Sequence, residues 1–361
     1  MRALSLITVL LLACSSPNIA GNPDGGNISD PNITTPTTGP VAMPLINRGT
    51  PSFASAGDPK AASDDNPASA WGTNMLPAWI AYDLSATPSE SRQKIMLTWN
   101  AIHAGGFLND PVQGYQALLV DYTVETNTAP GGTLPTIGWE TAATVAGNSL
   151  GTVEHLLNIH GANWVRLNIT KGTTDGIGVD VDIYGAPNGA SDAWMFMGDS
   201  ITYMTMTYAF NNLPSVVHAQ KADRWPAVID AALGGTNTGT ATLIIDATVA
   251  AAPSRFVVLA YGTNDHAKEF HMEELVQKVI AAGRIPVVPH MPWSSGSMEG
   301  TQINAQIDAL YVKYPQILRG PDLWAVFMNR TDLIPMGDVH PNSAGQDALR
   351  KAWADVMAAQ P

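Results

Sequence analysis

The spacing of the apolar residues changes near residue 190 and divides the chain into two parts. Beyond that point, strand-like runs such as WMFMGDS, RFVVLAYGTND and GRIPVVPHMPW alternate with helix-like stretches at 272–283, 302–314 and 344–360. Such alternation predicts a parallel sheet with helices on both faces, here a three-layer α/β domain over 190–361. Ligands of these sheets bind beyond the carboxyl ends of the strands, so polar residues that follow the strands are the candidate site residues.

The preceding part, from about 47 to 186, has short runs of alternating apolar and polar residues that are broken by Gly, Pro, Asn and Asp. Four segments are typical of strands: AWIAYDLS (78–85), QKIMLTWNA (93–101), NWVRLNITK (163–171) and GVDVDIYGA (178–186). The pattern predicts an all-β sandwich of the jelly-roll type over 47–186.

The pattern of the first 46 residues indicates an export signal followed by a tether, and not a folded domain. Residues 1–13 form a positively charged start and an apolar run that is too short to span a bilayer. Cys14, the one cysteine in the chain, ends a Leu-Leu-Ala-Cys segment that resembles the bacterial lipoprotein box. The resemblance implies a lipidated Cys14 on an exported, membrane-anchored lipoprotein at the outer membrane or cell surface, and the alternative is an ordinary cleaved signal. Residues 14–46 are rich in Pro, Gly, Asn, Ser and Thr and predict a flexible tether.

The charge of the chain limits its partners. The formal net charge is −13 and the isoelectric point is about 4.8, which argues against nucleic acid and anionic membrane surfaces. We therefore expect membrane contact only through the N-terminal lipid. A single cysteine also excludes an internal disulfide.

Four polar blocks carry the candidate chemistry: GDS (198–200), GGTNTG (234–239), GTND (262–265) and GDVHPNSAG (337–345). The second block follows RWPAVID (224–230), which we interpret as helical. A serine hydrolase needs a hydroxyl, a base and donors for an oxyanion. Ser200 offers the hydroxyl and His340 the imidazole. The N–H groups of Ser200 and Gly235, together with the amide of Asn264, offer the donors.

These blocks, in this order, resemble those of the SGNH (GDSL) hydrolase superfamily over residues 190–361. The resemblance implies that Ser200 is the nucleophile, that His340 is the base, and that Ser200, Gly235 and Asn264 form the oxyanion hole. Histidines near the blocks lack a metal-ligand spacing, so we expect no cofactor for catalysis.

The last block departs from the family pattern. The family usually has D-x-x-H, whereas here Gly337 stands three residues before His340 and Asp338 stands two before it. The D-x-H spacing is similar to that of carbohydrate esterases resembling family 2, in some of which a backbone carbonyl holds the histidine. Two alternatives therefore remain open: a triad with Asp338, or a Ser–His dyad.

The stretch 62–85, together with VDVDIYGA (179–186), resembles the discoidin or galactose-binding-like jelly roll. The resemblance implies carbohydrate binding and a structural calcium ion. The oxygen ligands that it suggests are Asp64, Asp65 and Ser69, with a further acid from Asp180 or Asp182, and the alternative is a metal-free loop.

Together, these features predict a serine esterase that removes short acyl groups, O-acetyl above all, through an acyl-enzyme. Its substrate would be an acylated carbohydrate or another small ester. One alternative is a broad short-chain esterase, a lipase-like enzyme or a thioesterase, because fold does not determine substrate. A second alternative is an inactive, glycan-binding surface lipoprotein.

Overall fold

The structure is a computed structural model that describes residues 39–64, 69–101, 118–173, 176–208 and 212–360. The signal peptide, the lipidation site at Cys14 and most of the tether lie outside the described residues, and their assignments stay predictions. In the described ranges, no helix combines the length and the hydropathy that crossing a membrane requires.

The N-terminal domain is the predicted β-sandwich, built from two antiparallel sheets. One sheet has the strand order β1-β3-β8-β5-β6 and the other β2-β9-β4-β7. The strands are β1 (Ser52–Ala54), β2 (Trp71–Thr73), β3 (Ala78–Asp83), β4 (Lys94–Ala101), β5 (Leu119–Asn127), β6 (Glu140–Val145), β7 (Thr152–Asn158), β8 (Trp164–Gly172) and β9 (Ile177–Gly185).

Alternation along the strands creates the core of the sandwich. On β8, Val165, Leu167 and Ile169 are buried between the sheets, whereas Arg166 and Asn168 lie on the outer face. Because successive side chains point to opposite faces, one strand supplies both a core row and an outer polar row.

The second domain is the predicted three-layer α/β domain. Its sheet has the order β11-β10-β12-β13-β14, and all neighbouring strands are parallel. The strands are β10 (Ala193–Gly198), β11 (Ala227–Asp230), β12 (Phe256–Ala260), β13 (Ile285–His290) and β14 (Leu318–Asp322). The helices are α1 (Ser200–Tyr208), α2 (Leu213–Gln220), α3 (Thr238–Ala241), α4 (Ile245–Ala250), α5 (Met272–Ala281), α6 (Gly300–Lys313), α7 (Leu323–Phe327) and α8 (Ser343–Ala358).

Helices cover both faces of the parallel sheet. Trp194 and Phe196 of β10 belong to the core that includes α1, α2, α7 and α8, whereas Met195 and Met197 belong to the core that includes α3 to α6. Burial on both faces explains why this strand is a continuous apolar run.

Two interpretations of the sequence are corrected here. The segment 224–230 is not helical, because Ala227–Asp230 forms strand β11 and pairs in parallel with β10. A short apolar run cannot be assigned to helix or strand by periodicity alone. The tether also ends earlier than residue 46. Met43 is buried, and its N–H donates to the Trp225 carbonyl at 2.7 Å.

The two domains share a buried polar contact surface. Thr152 Oγ1 donates to the carbonyl of Asp230 at 2.7 Å, which connects the four-stranded sheet to the end of β11. Ser254 Oγ donates to the Glu154 carboxylate at 2.8 Å. The outer face of the four-stranded sheet is thus the face that contacts the α/β domain.

Burial raises the pKa of Glu154 to about 7, although hydrogen bonds from Ser254 favour the charged form. Since the folded protein holds this proton more tightly than the unfolded chain, the free energy of unfolding should fall as pH rises from about 4.5 to about 7. Above that range the effect of Glu154 is constant. We expect Glu154→Gln to weaken this decline in urea unfolding measured between pH 4.5 and 8. Exposed Glu140→Gln is the control, and a decline unaltered by Glu154→Gln would contradict the prediction.

Arg224 and Asp192 form a salt bridge inside the α/β domain, with side chains 1% and 0% exposed. Nε and Nη2 of Arg224 donate to the two carboxylate oxygens, each at 2.7 Å. Arg224→Met leaves a buried carboxylate without its cation, so we expect a loss of about 3–5 kcal/mol in urea unfolding. Arg330→Met, which removes an exposed pair with Asp332, should cost less than about 1 kcal/mol. Equal losses for the two variants would show that burial is not the cause.

Candidate active site

The turn from β10 into α1 places Ser200 at the carboxyl end of the sheet. A Cβ on Gly198 would lie 2.3 Å from Thr202 Oγ1 and 2.8 Å from the Ala260 carbonyl, so the turn requires glycine. Ser200 is the first residue of α1 and is buried. The first N–H groups of a helix lack intrahelical acceptors, so the Ser200 N–H is available to a substrate oxygen.

His340 and Asp338 meet Ser200 through the loop before α8. Ser200 Oγ lies 2.9 Å from His340 Nε2, although the two residues are 140 positions apart. His340 Nδ1 lies 3.0 Å from Asp338 Oδ1. Of the two alternatives left open by the D-x-H spacing, this geometry favours the triad with Asp338.

Asp338 is suited to orienting the histidine as a carboxylate. The backbone N–H groups of His340 and Val339 donate to Asp338 Oδ1 at 3.0 and 2.7 Å. These hydrogen bonds lower the pKa of Asp338 and so favour its charged form. A carboxylate that accepts from Nδ1–H leaves Nε2 of the neutral ring as the base toward Ser200.

The residues predicted for the oxyanion hole lie on two loops beside Ser200. Gly235 has a φ of +75°, which is a left-handed conformation that glycine adopts readily. The Asn264 amide donates to the Thr236 carbonyl at 3.0 Å and has a second N–H for another acceptor. The loops that carry Gly235 and Asn264 are therefore joined directly.

Two buried aspartates stabilise the backbone around the site, Asp199 in the turn that carries Ser200 and Asp265 beside the Gly235 loop. Asp199 Oδ1 accepts from the Ile201 N–H at 2.9 Å, and Asp265 Oδ1 accepts from the Thr238 N–H at 3.0 Å. Burial raises the pKa of Asp199 to about 7 and also raises the pKa of Asp265. They act on the site through the backbone that they position.

Sequence reasoning missed Thr236 and Thr238. Thr236 Oγ1 donates to the Leu233 carbonyl at 2.7 Å and also lies 3.2 Å from the Gly198 carbonyl, and the carbonyl of Thr236 accepts from Asn264. Thr238 Oγ1 donates to Asp265 and accepts from the His271 N–H at 2.8 Å. The available signal was the Thr-Asn-Thr segment between the glycines of the second block, since hydroxyl and amide side chains stabilise such turns.

For the calcium expectation, the structure describes only part of the ligand set. Ser69 Oγ donates to both carboxylate oxygens of Asp64 at 2.8 Å. Asp180 is buried on β9 and accepts from the Val181 N–H, and Asp65 lies outside the described residues. Within the described part of the chain, no three His, Cys, Asp or Glu side chains are grouped so that they hold a metal ion. Calcium binding at this loop stays a prediction.

The fold and the sequence of the second domain together define an ester hydrolase. Residues 196–348, which include Ser200 and His340, match the model of the GDSL-like Lipase/Acylhydrolase family. The α/β domain is therefore a GDSL-like hydrolase domain. No curated protein compared with the chain matches it.

Similar solved structures each cover one part of the chain. The lipase/acylhydrolase from Enterococcus faecalis is 16% identical over 46% of this chain and 95% of its own, with a TM-score of 0.39. The psychrotrophic esterase EstA from Pseudoalteromonas sp. is 18% identical over 46% of this chain and 97% of its own, with a TM-score of 0.38. Chitosan-binding module 1 from a chitosanase/glucanase of Paenibacillus sp. IK-5 is 18% identical over 39% of this chain and 98% of its own, with a TM-score of 0.30.

Proposed function

We propose that the protein is a serine esterase that removes short acyl groups, chiefly O-acetyl, from a carbohydrate. The observation that carries this proposal is the hydrogen-bonded series from Ser200 through His340 to Asp338, with separations of 2.9 and 3.0 Å. This series has the parts that acyl transfer needs: a hydroxyl, a base and a group that orients the base.

In the proposed mechanism, Ser200 Oγ attacks the ester carbonyl while His340 Nε2 accepts its proton. The N–H groups of Ser200 and Gly235 and the amide of Asn264 stabilise the oxyanion. His340 then gives the proton to the departing sugar hydroxyl, which leaves an acyl group on Ser200. A water molecule repeats the attack with His340 as base, releasing the acid and restoring the serine.

The carbohydrate part of the proposal is supported by features outside the hydrolase domain. The sandwich at the N-terminal side carries the galactose-binding-like sequence features of residues 62–85 and 179–186. A lipid on Cys14 would hold such an enzyme at a cell surface, where acylated polysaccharides are within reach. The proposed esterase is therefore an exported lipoprotein whose lipid is carried by Cys14.

Release of acetate tests the function directly. Wild type and Ser200→Ala would be compared on acetylated xylan, on other acetylated glycans and on an aryl acetate, and then on aryl esters from acetyl to octanoyl. Glycan deacetylation that requires Ser200 supports the proposal. Activity on aryl esters alone would indicate a generic esterase, and a preference for octanoyl would contradict the deacetylase.

Asn264→Ala tests the oxyanion assignment. Losing one oxyanion donor typically lowers turnover by about 10²–10³-fold, so the variant should be impaired but still measurable on aryl acetate. Asn212→Ala, which removes an amide that contacts Arg350 away from the site, is the control. Near-normal turnover by Asn264→Ala would exclude this amide from the oxyanion hole.

A further inference from the structure

In the β-sandwich, the outer face of the five-stranded sheet β1-β3-β8-β5-β6 carries aromatic and polar side chains that have no part in the active site. Trp79 on β3 lies opposite Asn168 on β8, and Asn168 lies opposite Thr123 on β5. In the adjacent row, Arg166 lies opposite Glu125. The intervening residues are fully buried core: Ile80, Leu167 and Val124. We use the name outer-face platform for the following six residues: Trp79, Thr123, Glu125, Trp139, Arg166 and Asn168.

Glu125 organises the polar centre of the platform. Its two carboxylate oxygens accept from Arg166 Nε at 2.6 Å, Thr123 Oγ1 at 3.0 Å and Asn168 Nδ2 at 3.3 Å. Arg166 Nη2 also pairs with Glu125, and the two charged side chains are only 19% and 12% exposed. The charges therefore cancel locally, and both planar groups are held in place.

Hydrogen-bonding capacity remains at this centre. Among the described contacts, Arg166 uses Nε and Nη2 toward Glu125, and Asn168 uses its Nδ2. The Nη1 donors of Arg166 and the Oδ1 acceptor of Asn168 have no described protein partner. A fixed set of planar donors and acceptors of this kind matches adjacent hydroxyl groups on one ligand.

Two half-buried tryptophans flank the polar centre. The Arg166 guanidinium lies 4.1 Å from the ring centroid of Trp139, and Trp139 Nε1 donates to the Pro135 carbonyl at 3.0 Å. Trp139 directly precedes β6, and Trp79 lies on β3. These strands are three positions apart in the sheet, a span of about 14 Å.

We propose that the outer-face platform binds a segment of a neutral polysaccharide. Sugar rings combine apolar C–H faces, which pack on tryptophan, with hydroxyl groups, which suit the Arg166, Glu125 and Asn168 groups. The paired charges offer no net attraction to an ion, and the net charge of −13 opposes an anionic polymer.

The platform's position fits this binding. The domain's other sheet contacts the hydrolase domain, so the platform lies on the opposite side of the sandwich and holds a polymer without covering Ser200. Binding at the platform rests on the proposed esterase function only for the choice of a polysaccharide as the polymer.

The test uses the full chain with Ser200→Ala, so that the polymer stays intact during binding. Affinity electrophoresis in gels with xylan, galactomannan or β-glucan should show retardation by at least one polymer. Adding Trp79→Ala or Trp139→Ala should weaken binding at least about tenfold. Trp139→Phe should recover part of it. Ile137→Ala, an 82% exposed apolar residue on the same loop, should leave it unchanged.

A further gel contains polygalacturonate, an anionic polymer. Three results would overturn polysaccharide binding by the platform: no retardation by any of the neutral polymers, undiminished retardation with both tryptophans replaced, or retardation only in polygalacturonate. Thermal melting of each variant separates lost binding from lost folding. Aryl acetate hydrolysis by wild type is measured separately. Absent binding with intact hydrolysis overturns the platform alone, whereas absent hydrolysis overturns the proposed esterase.

Discussion

Replacing Ser200 by alanine is expected to lower kcat/KM for ester hydrolysis by at least about 10⁴-fold. The hydroxyl that contacts His340 at 2.9 Å is the group that becomes acylated in the proposed mechanism, and alanine offers no substitute. What remains would come from the oxyanion donors and from substrate binding. Initial rates on aryl acetate at several enzyme concentrations would measure the loss.

A serine away from the site, Ser52, provides the control for Ser200→Ala. Ser52 lies in the β domain, and its buried hydroxyl has no hydrogen-bond partner among the described residues. Ser52→Ala should keep normal activity. A serine-reactive fluorophosphonate should label wild type and Ser52→Ala but not Ser200→Ala. Substantial ester hydrolysis by folded Ser200→Ala would remove Ser200 from the nucleophile role.

Replacing Asp338 by alanine is expected to lower kcat by about 10²–10⁴-fold, with a smaller change in KM. Without this carboxylate, His340 Nδ1–H loses its 3.0 Å partner, and the ring is no longer held in the tautomer that presents Nε2 to Ser200. The Asp338 side chain is 49% exposed, so water partly replaces it, and we expect the lower end of that range. Steady-state kinetics on aryl acetate would separate kcat from KM.

Asp332→Ala is the control for this prediction. Asp332 is an exposed carboxylate in the same loop region that pairs with Arg330 instead of the histidine. Its loss should leave kcat nearly unchanged. If Asp338→Ala kept most of its activity and the same melting temperature, the enzyme would work with a Ser–His dyad.

Much of the fold could be predicted from local pattern. The strand predicted at 93–101 is β4, Lys94–Ala101, and the helix predicted at 344–360 is α8, Ser343–Ala358. Long or strongly alternating segments determine their own structure because burial of one face dominates their energy. The strand Ala227–Asp230 could not be predicted because four residues carry too little periodicity, and its pairing with β10 decides its conformation.

The candidate site also has features that the sequence indicates and features that only the tertiary structure gives. The sequence by itself determined the two fold classes and singled out Ser200, Asn264 and His340 as candidate site residues, because short motifs and alternation are local properties of a chain. Only the tertiary structure decided that Asp338 is the partner of His340 Nδ1, since the D-x-H spacing is compatible with a triad or a dyad.

The outer-face platform depends on the tertiary structure as well. Trp79, Glu125 and Arg166 are distant in sequence and come together only through the pairing of β3, β5 and β8. Spacing along a chain does not give distances between strands. Those distances follow from strand order and register, which depend on the packing of the whole core.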